Sequence, residues 1–333
     1  MNNMEHLFNQ FLNCVTTLQE ALNVSFGEAL TETFDNLENG KIKVEMGAPD
    51  PKTVDQLSAM YKTLNYDKIS QKDKAQVFTY LTLKAINDDG RDANQMPTPQ
   101  LISIVIALFM QKLLPNRQLT VMDPAIGAGN LLYSVISQLK AANHSKDLYQ
   151  LYGIDNDEEM LDLADVAAHL NNLNIELYCQ DAILPWMIEQ PDVIISDLPV
   201  GFYPLDENVK HFATKSKTGH SFAHLLLTEQ IIKNLKPGGM VFLVVPQSML
   251  SGKTGADFMP WLANKVYLKA IVELPDKMFK NKFNQKSVLI FQNHGENATL
   301  DNVMLTKLEG NNEEEALFKL NVKLNEWYTK TND

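Results

Sequence analysis

Only two cysteines occur in the 333-residue chain, Cys14 and Cys179, and neither belongs to a CxxC pair. Two isolated thiols cannot build the disulfide framework of a small secreted domain. Apolar runs are also short, since the longest, 101–110, is about half of the roughly 20 residues that a membrane-spanning helix needs. The N-terminus has no basic segment followed by an apolar one, so no secretory signal is expected. We therefore expect a cytoplasmic protein that does not span a membrane.

Positive charge is scarce, with 29 Lys and Arg against 41 Asp and Glu and a net charge of −12. A uniformly acidic surface repels nucleic acid, which counts against DNA binding by this chain alone. One segment differs, because residues 265–286 contain six lysines and two acidic residues. This segment is either a solvated lysine-rich loop or a basic edge that faces a substrate. Its lysines are Lys265, Lys269, Lys277, Lys280, Lys282 and Lys286.

Histidine and cysteine show no spacing typical of a zinc site. His220 and His224 lie four residues apart, but no third ligand follows nearby in the sequence. We therefore expect no metal.

Roughly the first 90 residues have apolar positions at helical spacing. Three helix starts are marked by capping pairs: Ser25 with Glu28, Asp50 with Pro51, and Ser70 with Asp73. Residues 88–92 are polar and turn-forming, which indicates a domain boundary. We predict an N-terminal helical domain over 1–92 and a second domain over 93–333.

The second domain alternates apolar runs with helical stretches, which predicts an α/β fold with a mostly parallel sheet. The last two predicted strands are joined by a loop too short for a crossover, so they should pair antiparallel. We expect a Rossmann-like sheet of seven strands with an antiparallel last strand. The predicted strands are 119–122, 148–154, 175–179, 192–197, 239–245, 267–273 and 287–292.

Three loops that follow predicted strands are suited to a ligand, because open doubly wound sheets bind ligands at the carboxyl ends of their strands. After the first strand, the glycines of 123–130 allow close approach of a ligand, or simply form a tight turn. After the second, Asp155 either accepts hydrogen bonds from ribose hydroxyls or caps the next helix. After the third, Asp181 is placed to reach an adenine amino group. Together the loops indicate a nucleoside-bearing cofactor.

The identity of that cofactor follows from two residues. A dinucleotide fold prefers GxGxxG, but Leu132 occupies the position of the last glycine. Asp123 stands at the mouth of the loop, where a carboxylate opposes phosphates and favours an ammonium group. S-adenosylmethionine has an ammonium, a sulfonium and no phosphate, so the electrostatics favour it over NAD.

The sequence 123–129, Asp-Pro-Ala-Ile-Gly-Ala-Gly, resembles motif I of class I S-adenosylmethionine-dependent methyltransferases of the N6-adenine type. Residues 96–99, Met-Pro-Thr-Pro, resemble a motif that lies upstream in that family, and 197–200, Asp-Leu-Pro-Val, resemble its Asn/Asp-Pro-Pro-Tyr/Phe motif. The motif order and the helical N-terminus are similar to modification subunits of type I restriction–modification systems and to a smaller YtxK-like group of Firmicutes. The resemblance implies that 93–333 form a methyltransferase domain.

The resemblance implies a role for each matching residue. Asp197 and the backbone carbonyl of Leu198 would accept hydrogen bonds from the amino group to be methylated, and Pro199 would keep the loop rigid. Val200 stands where the family has an aromatic that stacks on the target base, so Phe202 or Tyr203 would substitute, or would serve only in packing. The predicted cofactor residues are Thr98, Asp123, Pro124, Ala125, Gly127, Gly129, Asn130, Asp155, Asn156, Asp181 and Ala182.

The leading functional hypothesis is methyl transfer to adenine N6 in DNA. The alternatives are a protein or small-molecule amide or amine as acceptor, and an S-adenosylmethionine-binding regulatory protein with weakened catalysis. No part of the chain remains for a sequence-reading domain, so specific DNA methylation would need a separate specificity partner.

Overall fold

The computed structural model describes residues 3–90, 96–143, 148–279, 285–296, 298–300 and 302–332. Its helices are α1 (Asn3–Leu22), α2 (Phe26–Glu38), α3 (Pro51–Leu64), α4 (Gln71–Asp88), α5 (Gln100–Leu113), α6 (Asn130–Asn143), α7 (Glu158–Leu170), α8 (Ala223–Asn234), α9 (Gln247–Leu250), α10 (Gly252–Ala263) and α11 (Glu313–Asn332). Its strands are β1 (Leu119–Asp123), β2 (Tyr149–Asp155), β3 (Ile175–Cys179), β4 (Val193–Asp197), β5 (Met240–Pro246), β6 (Val266–Glu273), β7 (Lys286–Asn293) and β8 (Met304–Lys307).

The chain divides into two compact units. The first comprises Met1–Pro97, Gly127–Tyr133 and Asp157–Ile175, and the second comprises Thr98–Ile126, Ser134–Asn156 and Glu176–Asp333. Because the first unit includes segments from further along the chain, the domain boundary after residue 92 stays a prediction.

The first unit packs α7 with the four N-terminal helices around an aromatic cluster. The rings of Phe11 and Phe34 are stacked 5.0 Å apart, and Phe78 meets Phe34 edge-on. Burial of these rings supplies much of the hydrophobic stabilisation of a helical unit. The predicted helix starts are confirmed: Ser25 and Glu28 form a capping box, and the side chains of Asp50 and Ser70 cap α3 and α4.

The second unit is built on a sheet with the strand order β3-β2-β1-β4-β5-β7-β6-β8. Strands β1, β2, β4 and β5 are parallel, whereas β7 lies between β5 and β6 and runs antiparallel to both. The predicted α/β class and the antiparallel β7 are therefore confirmed. Within the described ranges, no helix is both long and apolar enough to cross a membrane.

The expected count of seven strands was wrong, since the described part of the chain has eight. The additional strand, β8, pairs parallel with β6 at the edge of the sheet. It has four residues, of which only Met304 is buried. A short edge strand with one buried side chain lacks the alternation that marks a strand in a sequence.

The carboxyl ends of the central strands place several acidic residues at one edge of the sheet. Asp123 ends β1, Asp155 ends β2 and Asp197 ends β4. The strand order reverses between β1 and β4, and such a switch point is where doubly wound sheets bind ligands.

Candidate active site

Asp197 is held on both of its carboxylate oxygens. The hydroxyl of Thr98 donates to Oδ2 at 3.0 Å, and the ammonium of Lys286 lies 2.5 Å from Oδ1. The Asp197 side chain is 19% exposed. The structure thus brings together Thr98 and Asp197, which were singled out in separate motifs, and adds a lysine that was predicted only as part of the basic segment.

The lysines of 265–286 do not form a single basic edge. Lys269 is buried and donates to the carbonyl of Thr299 at 2.7 Å, while Lys286 points to Asp197. Lys265 and Lys277 are exposed. Lys280 and Lys282 lie outside the described residues. Neither alternative weighed from the sequence accounts for the two lysines that turn inward.

Asp123 is 2% exposed and sits directly beneath the loop after β1. Its Oδ1 accepts hydrogen bonds from the Ser196 hydroxyl at 2.7 Å and from the Ala125 N–H at 3.0 Å. Burial raises the pKa of Asp123 to about 7, despite these two donors, and the charges of Asp155 and Asp197 add to the increase. A cation bound here would favour the ionised form of Asp123.

Gly127 and Gly129, the two glycines of the loop after β1, are required for different physical reasons. Both have positive φ, +52° at Gly127 and +79° at Gly129. A Cβ on Gly129 would lie 2.0 Å from Cε2 of Tyr133, so packing alone requires that glycine. At Gly127 the nearest atom to a Cβ is Cε of Met160, at 3.6 Å, so only backbone conformation demands glycine there. The structure thus gives each glycine a local reason, and contact of this loop with a cofactor stays a prediction.

The alternative that Asp155 caps the following helix is wrong. The cap of α7 is Asp157, whose carboxylate accepts a hydrogen bond from the N–H of Met160. Asp155 instead remains at the end of β2, and its carbonyl accepts from the N–H of Gln180 at 2.8 Å. Its proposed contact with a ribose stays a prediction.

Tyr203 is buried, and it contacts Asp181, which lies two residues after the end of β3. The residue is 7% exposed, and its hydroxyl donates to Oδ2 of Asp181 at 2.5 Å. The N–H of Ile183 donates to the other oxygen of Asp181, and Asn208 donates to the Tyr203 hydroxyl. Burial, followed by the bond to Asp181, raises the pKa of Tyr203 to about 12. These contacts give Tyr203 the packing role that the sequence left open.

Phe202 has the opposite environment. It is 62% exposed, and its ring stacks on Phe222 with centroids 4.8 Å apart. Phe222 in turn lies against the ring of His224 at 5.2 Å. Val200, two residues before Phe202, is 40% exposed. Of the two aromatic candidates, Phe202 is thus the one with an accessible face.

His224 supports the loop after β4 from beneath, and sequence reasoning did not single it out for this role. Its ring is influenced by the backbone of Pro199, which partly offsets the effect of burial on the pKa of His224. Burial lowers the pKa of His224 to about 4, so the ring is neutral at pH 7. The N–H of Leu198 donates to the carbonyl of Val244 on β5 at 3.0 Å. This bond fixes the backbone next to Asp197.

The donor set at this edge fits S-adenosylmethionine. Asp123 and Asp155 are carboxylates, which suit ammonium and hydroxyl groups and oppose phosphates. No group of three His, Cys, Asp or Glu residues in the described ranges is arranged to hold a metal ion.

Comparisons with known proteins agree with this fold. The N-6 DNA methylase family model matches residues 70–329, and a YtxK N-terminal helical domain matches residues 5–86. The uncharacterised protein YtxK of Bacillus subtilis strain 168 is 32% identical over 317 residues, which cover 94% of each chain. The StySPI methylase subunit of Salmonella potsdam, a type I restriction enzyme, is 26% identical over 67% of this chain and 44% of its own.

Among solved structures, a protein from Listeria monocytogenes described as a class I S-adenosylmethionine-dependent methyltransferase has a TM-score of 0.84 and 29% identity, covering 98% of each chain. A type I modification subunit from Vibrio vulnificus YJ016 has a TM-score of 0.61 and covers 84% of this chain and 60% of its own. At 18% identity, this second likeness concerns the fold alone.

The fold and its acidic edge, with these relatives, define a class I S-adenosylmethionine-dependent methyltransferase. The chain belongs to the N-6 DNA methylase family, with a YtxK-like helical domain at its N-terminus.

Proposed function

We propose that this methyltransferase acts on the exocyclic amino group of adenine in DNA. The observation that carries the proposal is the Asp197 carboxylate. Thr98 and Lys286 fix it at the end of β4, five residues before an exposed aromatic, Phe202. Membership of the N-6 DNA methylase family supports the same acceptor.

The chemistry needs an acceptor nitrogen that is aligned and activated. S-adenosylmethionine supplies an electrophilic methyl group on a sulfonium. The Asp197 carboxylate and the Leu198 carbonyl would accept hydrogen bonds from the adenine amino group, whose lone pair is otherwise delocalised into the ring. Two fixed acceptors make that nitrogen more nucleophilic and stabilise the positive charge that develops on it. The rigid ring of Pro199 and the bond from the Leu198 N–H to the Val244 carbonyl would hold both acceptors in place.

The cofactor would be held by the loops at the ends of β1, β2 and β3. Asp155 would bind the ribose hydroxyls, and Asp123 would face the ammonium of the methionine part. The other residues proposed for this site are Thr98, Pro124, Ala125, Gly127, Gly129, Asn130, Asn156, Asp181 and Ala182.

Phe202 would stack on the target base in place of the aromatic that Val200 does not provide. Stacking of a base on an aromatic side chain contributes about 1–3 kcal/mol. The ring of Phe202 is already supported by Phe222, so its face is presented without further ordering.

The experiment is transfer of labelled methyl from S-adenosylmethionine to a panel of DNA, RNA and cell-extract protein, with Asp197→Ala as the matched control. Label in adenine of DNA that is lost in Asp197→Ala supports the proposal. Label in protein or a small molecule would replace DNA with an amide or amine acceptor.

A separate specificity partner is part of the proposal. The net charge of −12 weakens DNA binding by the chain alone, and two lysines of the basic segment turn inward. We expect weak binding of the isolated chain to DNA in a mobility assay at physiological salt. Tight, sequence-specific binding by the isolated chain would show that no partner is needed. The cytoplasm is the compartment in which we expect the protein to act.

One observation favours a second candidate, a regulatory protein that binds S-adenosylmethionine and has weakened catalysis. The ammonium of Lys286 already uses one oxygen of Asp197. Absence of label in every acceptor of the panel, together with measurable cofactor binding, would support this candidate.

A further inference from the structure

Lys286 is the first residue of β7, and its position follows from the sheet. Strand β7 runs antiparallel to β5 in a register that pairs Lys286 with Pro246. Because β5 is parallel to β4, the start of β7 lies at the edge where β4 ends. The Lys286 side chain is 22% exposed, and its ammonium lies 2.5 Å from Oδ1 of Asp197. A partly buried pair at this distance is screened by solvent much less than a surface pair.

The surroundings of this pair are acidic. Asp123 and Asp155 end the neighbouring strands, and the charges of both Asp155 and Asp197 raise the pKa of Asp123. The charge of Asp197 therefore affects the pKa of Asp123, the residue proposed to face the cofactor ammonium. Without Lys286, these carboxylates would repel one another more strongly.

We propose that Asp197 and Lys286 act as one hydrogen-bond acceptor with no net charge. A carboxylate has about four lone-pair sites, of which Lys286 and Thr98 use two, so acceptor capacity remains for the amino group to be methylated. Lys286 is a positioning residue that cancels the charge of Asp197 and fixes its rotation. This inference rests on the proposed role of Asp197 toward the acceptor.

If the two residues form a neutral pair, replacing either one alone should change the charge of the site in opposite directions. Lys286→Met leaves one uncompensated negative charge at the site, and Asp197→Asn leaves one uncompensated positive charge. The double variant has neither. S-adenosylmethionine carries one more positive charge than S-adenosylhomocysteine, its sulfonium, so the ratio of the two dissociation constants reports the charge of the site without any methyl acceptor.

The experiment measures both dissociation constants by calorimetry in the full chain. The preference for S-adenosylmethionine over S-adenosylhomocysteine should rise about threefold or more in Lys286→Met, fall by a similar factor in Asp197→Asn, and return to the wild-type value in the double variant. Lys286→Arg should leave the preference unchanged. Lys277→Met is the matched control, since it removes an exposed lysine of the same segment.

A preference that moves in the same direction in both single variants, or that the double variant does not restore, would overturn the proposal. Thermal melting checks folding, and if Lys286→Met does not fold, Asp197→Asn and the double variant still give the decisive comparison. If wild type methylates no DNA yet the preference follows the expected pattern, the adenine acceptor fails while the neutral pair stands.

Discussion

The ring of Phe202 lies against that of Phe222 with an interplanar angle of 18°, and a single antiparallel bridge joins the backbones of these two residues. This contact turns one face of Phe202 inward and leaves the other to solvent. It gives the loop after β4 an aromatic surface although Val200 provides none.

Phe202→Ala should raise the KM for DNA about 5- to 100-fold, the range that corresponds to losing a stacked base. Phe202→Tyr keeps the ring and should stay near wild type. The measurement is steady-state methyl transfer to an adenine-containing duplex. Leu205→Ala, which removes another exposed apolar side chain of the same loop, is the control. Equal effects of Phe202→Ala and Leu205→Ala would remove Phe202 from the acceptor site.

Val200→Tyr tests the same idea from the opposite direction. If the acceptor is a base taken out of the duplex and Phe202 already stacks on it, an aromatic at residue 200 should leave activity on adenine close to that of wild type. A large increase in this variant would show that Phe202 does not fill the stacking role.

Binding of S-adenosylmethionine should depend on pH through Asp123. Burial raises the pKa of this carboxyl to about 7, so a proton occupies it below that pH and must leave when a cation binds. Affinity should therefore increase with pH, by about tenfold between pH 6 and 8. Calorimetry at several pH values is the measurement. In Asp123→Asn, residue 123 cannot titrate, so the affinity should no longer increase with pH. If the affinity rises equally with pH in both proteins, another group is responsible for the pH dependence.

His224 should limit stability in acid. Burial lowers its pKa to about 4, whereas in the unfolded chain it is about 6.5. The stability that the neutral ring contributes is complete above about pH 6.5 and is lost as the pH falls toward 4. We expect the free energy of unfolding to drop by about 2 kcal/mol more between pH 8 and 5 in wild type than in His224→Gln. Urea titrations of both proteins at both pH values measure this difference. An equal decrease in the free energy of unfolding of wild type and His224→Gln would contradict the prediction.

Much of the fold, and the edge of the sheet where the candidate site lies, could be predicted from the sequence. Strands buried on both faces appear there as continuous apolar runs, and their ends are polar. It could not place Lys286, since that requires the antiparallel insertion of β7 and its register with β5. Nor could it separate Phe202 from Tyr203. Neighbouring residues in extended backbone point to opposite sides, and only tertiary packing decides which side is buried.

Asp155→Ala should weaken binding of S-adenosylmethionine about 10- to 100-fold, because hydrogen bonds to an ionised group contribute about 1.5–3 kcal/mol. The finding that Asp157, and not Asp155, caps α7 makes this substitution a cleaner test of binding. Calorimetry measures the effect. Asp257→Ala, which removes an exposed acid from α10, controls for the change in net charge. Unchanged affinity would remove Asp155 from the cofactor site.

Asp197→Ala should leave the affinity for S-adenosylmethionine within several-fold of wild type and lower methyl transfer by at least about 100-fold, the scale for losing one oriented electrostatic group. The side chain is proposed to act on the acceptor nitrogen and only weakly, through its charge, on the cofactor. Asp197→Asn should be milder, because an amide oxygen still accepts a hydrogen bond. Single-turnover transfer to an identified acceptor, with cofactor affinity measured in parallel, separates the two effects. Survival of transfer in Asp197→Ala would refute the mechanism, since Leu198 alone would then suffice to orient the nitrogen.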